Sequence, residues 1–218
     1  MKWPWSKQDQ IEVLSPLEAY DRWSASYAAE ANPIKNLSDT LVEKFLPDLA
    51  NKNILDAGCG TGKFCSLAEQ KHAAKIVGLD LSSKMIAHAN KQCTKAILTC
   101  GDISVTPIET NFYDVIICAL VLGHVKELKP PLTNLLNGLK INGLLIITDF
   151  HPFLTMMKSK RTFKDQASGK LFEVAHHLHL LDEYFRIVAE CNARIEVFEE
   201  PLYNGSPVVF GMKIFKNS

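Results

Sequence analysis

The chain has 218 residues with 24 basic and 24 acidic side chains, a formal net charge of zero. That balance argues against a strongly basic nucleic-acid binder, and no apolar run reaches the ~20 residues a membrane span needs. The length suits a single domain with decorations.

The opening, Met1 to Lys7, lacks an apolar signal core, which predicts a cytoplasmic location. Trp3 and Trp5 there read either as packing residues or as a lid or partner contact. Residues 16–31 are predicted helical, with Pro16 in the first turn and Leu17, Tyr20, Trp23 and Ala28 spaced for one face. A second helix is predicted over 35–46, stopped by Pro47. From there strands and helices alternate. Strands fall at 53–57, 75–80, 96–100 and 113–119. Helices fall at 63–71, at 83–92 with Ser82 or Ser83 as cap, and at 130–139. Asn142-Gly143 reads as a turn into a fifth strand at 144–149. A segment at 151–181 follows, and within it 174–180 reads as a strand that would put His177 and His179 on one face. The tail is a helix at 182–191 capped by Asp182, an alternating strand at 193–199 and a last strand at 207–215. Such alternation predicts an α/β fold, a doubly wound parallel sheet with right-handed crossovers. One domain is expected, made of a helical cap (1–50), a core (51–150), an insertion (151–181) and a closing helix with an antiparallel strand pair (182–218). Six cysteines at 59, 65, 93, 100, 118 and 191 form no C-x-x-C pair and read as free thiols.

The most informative stretch is Ile54-Leu55-Asp56-Ala57-Gly58-Cys59-Gly60-Thr61-Gly62-Lys63-Phe64. It is a buried strand, a turn of three alternating glycines and the start of a helix. Glycine lets the backbone turn sharply and approach a ligand closely, and the helix start offers unpaired N–H groups. Strand two ends in Asp80, where a carboxylate can accept from two ribose hydroxyls. Gly101-Asp102-Ile103 follows strand three, and Tyr113 to Ala119 is a central apolar strand. A dinucleotide fingerprint, G-x-G-x-x-G, is broken at its third glycine.

In this order and spacing the chain resembles the class I S-adenosylmethionine-dependent methyltransferases of small-molecule type. The matching residues are Asp56-Ala57-Gly58-Cys59-Gly60-Thr61-Gly62, Gly78-Leu79-Asp80-Leu81-Ser82 with Met85, Gly101-Asp102, and Phe112-Tyr113-Asp114-Val115-Ile116. The resemblance implies a Rossmann-like seven-stranded sheet whose last strand is antiparallel, with N-terminal helices and an insertion after strand five. It implies S-adenosyl-L-methionine as cofactor and S-adenosyl-L-homocysteine as product. The turn with Asp56, Gly58, Cys59 and Gly60 would lie against the methionine part, and Asp80 would hold the ribose. Leu81 and Met85 would pack near the adenine, and Gly101, Asp102 and Ile103 would meet its edge. Ala119 would border the cofactor and Tyr27 would cover it, with Tyr20 beside the acceptor.

Catalytic candidates are His151, directly after strand five, His124, in the loop after strand four, and His177 with His179 in the insertion. A histidine near neutral pKa can take a proton from a phenol or amine acceptor. Structural histidines compete with this reading. A metal site with His177 and His179 as two ligands and His151 or an acidic residue as a third is the least favoured reading, and no metal is expected, since His-x-His alone is a common accidental pattern. Arg161 reads either as a clamp for an acceptor carboxylate or as a solvated charge beside Lys158 and Lys160. The expected function is methyl transfer to an oxygen or nitrogen of a small-molecule acceptor, with no nucleic-acid or membrane partner, by a monomer or homodimer. The Asn/Asp-Pro-Pro-Tyr signature of amino methylation is absent after strand four, where Ala119-Leu120-Val121-Leu122 stands. Alternatives are a non-catalytic cofactor-binding protein on the same fold, a tRNA or protein methyltransferase, and a nicotinamide-dependent oxidoreductase.

Overall fold

A computed structural model describes residues 11–218. The readings of Trp3, Trp5 and the opening seven residues lie outside the described residues. In chain order the elements are β1 (Glu12–Leu14), α1 (Pro16–Trp23), α2 (Pro33–Phe45), β2 (Asn53–Ala57), α3 (Lys63–Gln70), β3 (Lys75–Asp80), α4 (Ser83–Gln92), β4 (Ile97–Cys100) and β5 (Tyr113–Ala119). A single 3-10 turn (Leu122–His124) leads to α5 (Lys129–Gly138), β6 (Leu139–Phe150), α6 (Pro152–Met156), β7 (Thr162–Lys164) and β8 (Leu171–Val174). The chain closes with α7 (Leu181–Glu190), β9 (Ala193–Glu199), the short strands β10 (Leu202–Tyr203) and β11 (Ser206–Pro207), and β12 (Val209–Lys216).

Seven strands form the central sheet in the order β4-β3-β2-β5-β6-β12-β9. The pairs among β2 to β6 are parallel, and β12 runs antiparallel between β6 and β9. Successive side chains of a strand point to opposite faces, and the core divides accordingly. Val115, Ile117, Leu144 and Ile146 face the layer of α2, α3 and α4. Ile116, Cys118, Leu145 and Ile147 face the layer of α5 and α7. Apolar residues on both faces explain why β5 and β6 read as continuous runs.

A second sheet of three strands, order β1-β8-β7, was not legible in the sequence. β1 pairs in parallel with β8, so the N-terminal strand binds the insertion. Together with α1 it buries Leu14, Ala19, Trp23, Phe163, Phe172 and Val174 in a separate cluster.

Several boundaries move. The helix expected at 16–31 ends at Trp23, where Ser24 Oγ bonds Asp21 O and competes with the helix ladder. Asn32 accepts from the N–H of Ile34 and Lys35, so α2 starts at Pro33. The turn at Asn142 is a kink, with φ 60°, inside one continuous strand β6. Asp182 lies in the first turn of α7, whose cap position is Leu180. Residues 175–180 are not a strand. Ala175 N–H donates to Leu14 O and His177 N–H to Gly123 O, so this stretch is spent on two different elements.

One buried polar contact tests how the helical layer is fixed to the sheet. Ser38 Oγ of α2 lies 2.6 Å from Thr148 Oγ1 of β6, both fully buried. Thr148→Val is expected to cost about 1–3 kcal/mol by leaving the Ser38 hydroxyl unpaired. The double variant Ser38→Ala/Thr148→Val is expected to recover much of that loss in urea unfolding. A double variant as unstable as the sum of the singles would show that the pair is not coupled.

Candidate active site

The crevice lies at the carboxyl ends of β2, β3 and β5, where the strand order reverses direction. The turn after β2 is pinned by two N–H groups, those of Gly58 and Cys59, which donate to Leu79 O at 2.7 and 2.9 Å. Gly58 has φ +81°, and a Cβ there would collide with Val121 Cγ2. Gly60 has φ +52°, and its nearest neighbour to a Cβ is Tyr27 Cε1 at 3.9 Å. The first glycine is thus required by close packing, whereas the second faces open space.

That space is a cavity of about 350 Å³ lined by Asp80, Leu81, Met85, Asp102, Ile103 and His124, among others. Gly58, Gly60, Gly101 and Ala119 also border it. Asp80 Oδ2 accepts from Gly60 N–H at 2.8 Å and Oδ1 from Ser82 N–H at 2.9 Å. Burial raises the Asp80 pKa and these two donors oppose the rise. Each carboxylate oxygen keeps a further acceptor site. Ser82 Oγ accepts from Met85 N–H, capping α4, and donates to Asp21 of α1. A connected cavity of about 400 Å³ continues along Cys59, Gly60 and Thr61 to Lys63, which bridges Asp39 at 3.0 Å and Glu43 at 2.9 Å.

A third cavity, about 240 Å³, adjoins the first and shares Tyr20, Tyr27, Leu120 and His124 with it. Its floor is a buried polar chain. Tyr20 Oη lies 2.9 Å from His124 Nε2, and His124 Nδ1 lies 2.9 Å from Ala175 O. A backbone carbonyl only accepts, so Nδ1 carries the proton and Tyr20 O–H donates to Nε2. Arg161 Nη1 lies 3.4 Å from that same Nε2, and Arg161 Nη2 lies 3.3 Å from Asp149 Oδ1. Burial first, and then the Arg161 charge, depress the His124 pKa to about 4. Burial raises that of the Tyr20 phenol.

Of the four catalytic candidates, only His124 lines a cavity described above. His151 sits at the end of β6 but turns away from the crevice. Its Nδ1 accepts from Phe153 N–H, capping α6, and its Nε2–H donates to Glu200 at 2.7 Å. His179 is buried, with Nε2–H donating to Val125 O at 2.9 Å. His177 is exposed. The strand that would have aligned these two does not form. Asp56 also departs from its expected contact. It lies beneath the turn, 1% exposed, with Cys65 Sγ 3.6 Å away, and lines none of the three cavities. Burial pushes its carboxyl up to about 7. Among the described residues no group of three or more His, Cys, Asp and Glu is placed to hold a metal ion.

Two residues escaped the sequence reading. Leu120, directly after β5, borders all three cavities and has φ +60°, a strained value for a bulky residue. Asp149, 1% exposed, accepts from the N–H of Gly123 and Phe150 at 2.6 Å each and anchors Arg161. An acidic residue ending an apolar strand was a visible signal, the same one that marked Asp80.

A family model described as a methyltransferase domain matches residues 55–147. An uncharacterized protein of Haemophilus influenzae is 32% identical over 162 residues, covering 68% of this chain and 62% of its own length. A ubiquinone biosynthesis O-methyltransferase of Coxiella burnetii is 32% identical over 104 residues, covering 46% of this chain and 44% of its own. The chain therefore spans less than two thirds of the length of either relative. Among solved structures, a putative S-adenosylmethionine-dependent methyltransferase from Listeria monocytogenes matches with a TM-score of 0.72 at 20% identity, covering 83% of this chain and 98% of that one. That likeness is one of fold.

The two glycines separate folding from ligand binding. Gly58→Ala is expected to lower thermal stability markedly through the Val121 collision. Gly60→Val is expected to stay folded, at a cost of about 1–2 kcal/mol for its left-handed backbone, but to lose binding of adenosylhomocysteine by calorimetry. Normal binding by the folded valine variant would move the ligand off this turn. A pH series tests His124. Its folded pKa lies below the ordinary 6.5, so the stability tied to its neutral form is full above 6.5 and is lost as pH falls toward about 4. In His124→Asn the loss of urea midpoint between pH 7 and pH 5 is expected to be smaller than in wild type. An equal loss would show that His124 takes up its proton normally.

Proposed function

We propose that this chain, which belongs to the class I S-adenosylmethionine-dependent methyltransferases, moves a methyl group from that cofactor to an oxygen or nitrogen of a small-molecule acceptor. The observation that carries this reading is the shared wall of the two cavities, Tyr20, Tyr27, Leu120 and His124. An acceptor on one side of that wall reaches a methyl donor on the other without crossing solvent. The relative named as an O-methyltransferase favours oxygen.

The residues present fit the cofactor. Gly60 leaves the space a Cβ would fill, and Asp80 keeps acceptor sites open toward the adjoining cavity. When bound, the cofactor supplies an electrophilic methyl on a positively charged sulfur. Asp80 would hold the ribose hydroxyls, Leu81 and Met85 the adenine face, and Asp102 and Ile103 its edge. Tyr27 closes both cavities and would exclude water from the junction. His124 is neutral and both its nitrogens are engaged, so it holds Tyr20 and the loop after β5 in place. Its contribution is to position the acceptor, and orientation of this kind supplies much of the rate in a direct displacement.

Calorimetry with adenosylhomocysteine, with a nicotinamide dinucleotide as control, tests the reading. Saturable one-site binding of the first alone is expected. Asp80→Asn is expected to weaken it about 10- to 100-fold, the cost of losing charge-assisted hydrogen bonds. A folded wild-type protein that ignores adenosylhomocysteine would overturn the proposal. Tight binding with no methyl transfer to any metabolite extract would favour the non-catalytic alternative.

A further inference from the structure

The acceptor cavity is selective by its charges as well as its shape. Its apolar wall mixes the flat rings of Tyr20, Trp23, Tyr27 and Phe150 with aliphatic side chains such as Ile34 and Leu154. Three cations also line it, Lys35, Lys160 and Arg161, and among the described residues no carboxylate does. Lys160 is paired with Glu173 at 2.9 Å, and Lys35 Nζ donates to Tyr27 O at 2.9 Å. Arg161 is the least satisfied of the three. Its carboxylate partner Asp149 already accepts two backbone N–H groups, and the Arg161 contacts to Asp149 and His124 are long, at 3.3 and 3.4 Å. Its Nε is buried with no hydrogen-bond partner, and its guanidinium lies 4.2 Å over the Phe150 ring. A mostly buried guanidinium that lines a cavity, with only long contacts to its partners, keeps N–H capacity for an anion.

Among the described residues that line this cavity, the Tyr20–His124 pair is the nearest candidate base, and it is already engaged. The Tyr20 hydroxyl and both nitrogens of His124 are engaged with each other and with Ala175 O. His151, His177 and His179 line none of the three cavities. A neutral hydroxyl acceptor must lose a proton to something, whereas an acceptor already ionised at neutral pH needs no base. The volume, about 240 Å³, lies below the ~300 Å³ at which sites for drug-sized ligands begin.

We infer that the acceptor is a small, planar carboxylic acid whose carboxylate is seated against Arg161 and is itself methylated. This deepens the methyltransferase reading and rests on it. One carboxylate oxygen would pair with the Arg161 guanidinium where it lines the cavity. The other would form the new C–O bond as the methyl–sulfur bond breaks and its electron pair stays on sulfur. A carboxylate and a sulfonium become a neutral ester and a neutral thioether, and no proton is released. Arg161 would act by positioning the acceptor, with His124 bracing its guanidinium.

3-Hydroxybenzoate is a suitable probe because it carries both possible acceptor groups on one ring. With adenosylhomocysteine saturating the protein, it is expected to bind at least tenfold more tightly than 3-hydroxybenzamide by calorimetry. That comparison needs only the wild-type protein. Arg161→Met is expected to erase the preference, and Arg161→Lys to keep part of it. With methyl-tritiated cofactor, the transferred label is expected to be released as methanol by mild alkali, as an ester requires. Equal binding of acid and amide, or no binding of either to a protein that holds adenosylhomocysteine, would overturn the inference while leaving the methyltransferase reading intact. An alkali-stable methyl ether would overturn it as well. Failure to bind adenosylhomocysteine would remove both readings together.

Discussion

Two hydrogen bonds from the Gly58 and Cys59 N–H groups to the Leu79 carbonyl hold the rest of the site in place. They fasten the turn after β2 to the end of β3, the neighbouring parallel strand. Fastened there, the turn lies close against Val121 of the loop after β5, on the other side of β2. The crevice is therefore bounded by three strand ends that are fixed relative to one another. Asp80 adds a third tie, because its carboxylate accepts from Gly60 N–H. A group suited to holding ribose hydroxyls thus also fixes the turn beside it, so binding and preorganisation share one side chain.

Charge burial sets the second half of the site. Asp149 is almost fully enclosed at the end of β6, where two backbone N–H groups and Arg161 satisfy it. Removing either charge would leave the other uncompensated in a low-dielectric site, which is strongly destabilising. Arg161 comes from the insertion and Asp149 from the core sheet, so this pair locks the insertion onto the cofactor half. The guanidinium that results is held by two long contacts and one ring face, firmly placed but incompletely satisfied. Its charge also helps keep His124 neutral. One buried cation therefore both ties the insertion to the sheet and holds the nearest imidazole neutral.

The core was legible in the sequence because its signals are local. Strands 53–57, 75–80 and 113–119 and the helix at 83–92 stand where periodicity and the Ser82 cap put them. The crevice at the ends of β2 and β3 followed from glycine spacing and from carboxylates at strand ends. The part of the cavity wall beside Arg161 was not legible. The β1–β8 pairing joins residues 12–14 to residues 172–174, and no local pattern marks a contact of that range. Histidines drew attention by number, yet His151 is used as a helix cap, His179 as a backbone partner, and His177 is exposed. His151 and His179 are buried for those roles. Asp149 carried the same strand-end signal as Asp80 but was hidden by the histidine that follows it. Leu120 carried none, since its left-handed backbone follows from the loop it enters.

Helix α1 shows how the two halves are made to agree. On one side Asp21 accepts from Ser82 Oγ, which caps α4 beside Asp80. On another Tyr20 donates to His124, which touches Arg161. Trp23 stacks on Phe163 of β7 at 4.9 Å between ring centroids, and the Tyr20 and Trp23 rings stack at 5.9 Å. Eight residues therefore join the cofactor crevice, the junction and the insertion. The Ser15 capping box fixes the start of this helix, and at its end the hydroxyls of Ser24 and Ser26 donate back to Asp21 O and Trp23 O. Tyr27 N–H still donates to Trp23 O at 2.9 Å, so the turns that follow α1 keep Tyr27 edge-on to Trp23 and Tyr20 at the wall common to all three cavities. Because Trp23 also stacks on Phe163, the wall of the cavities and the insertion are held by one set of ring contacts.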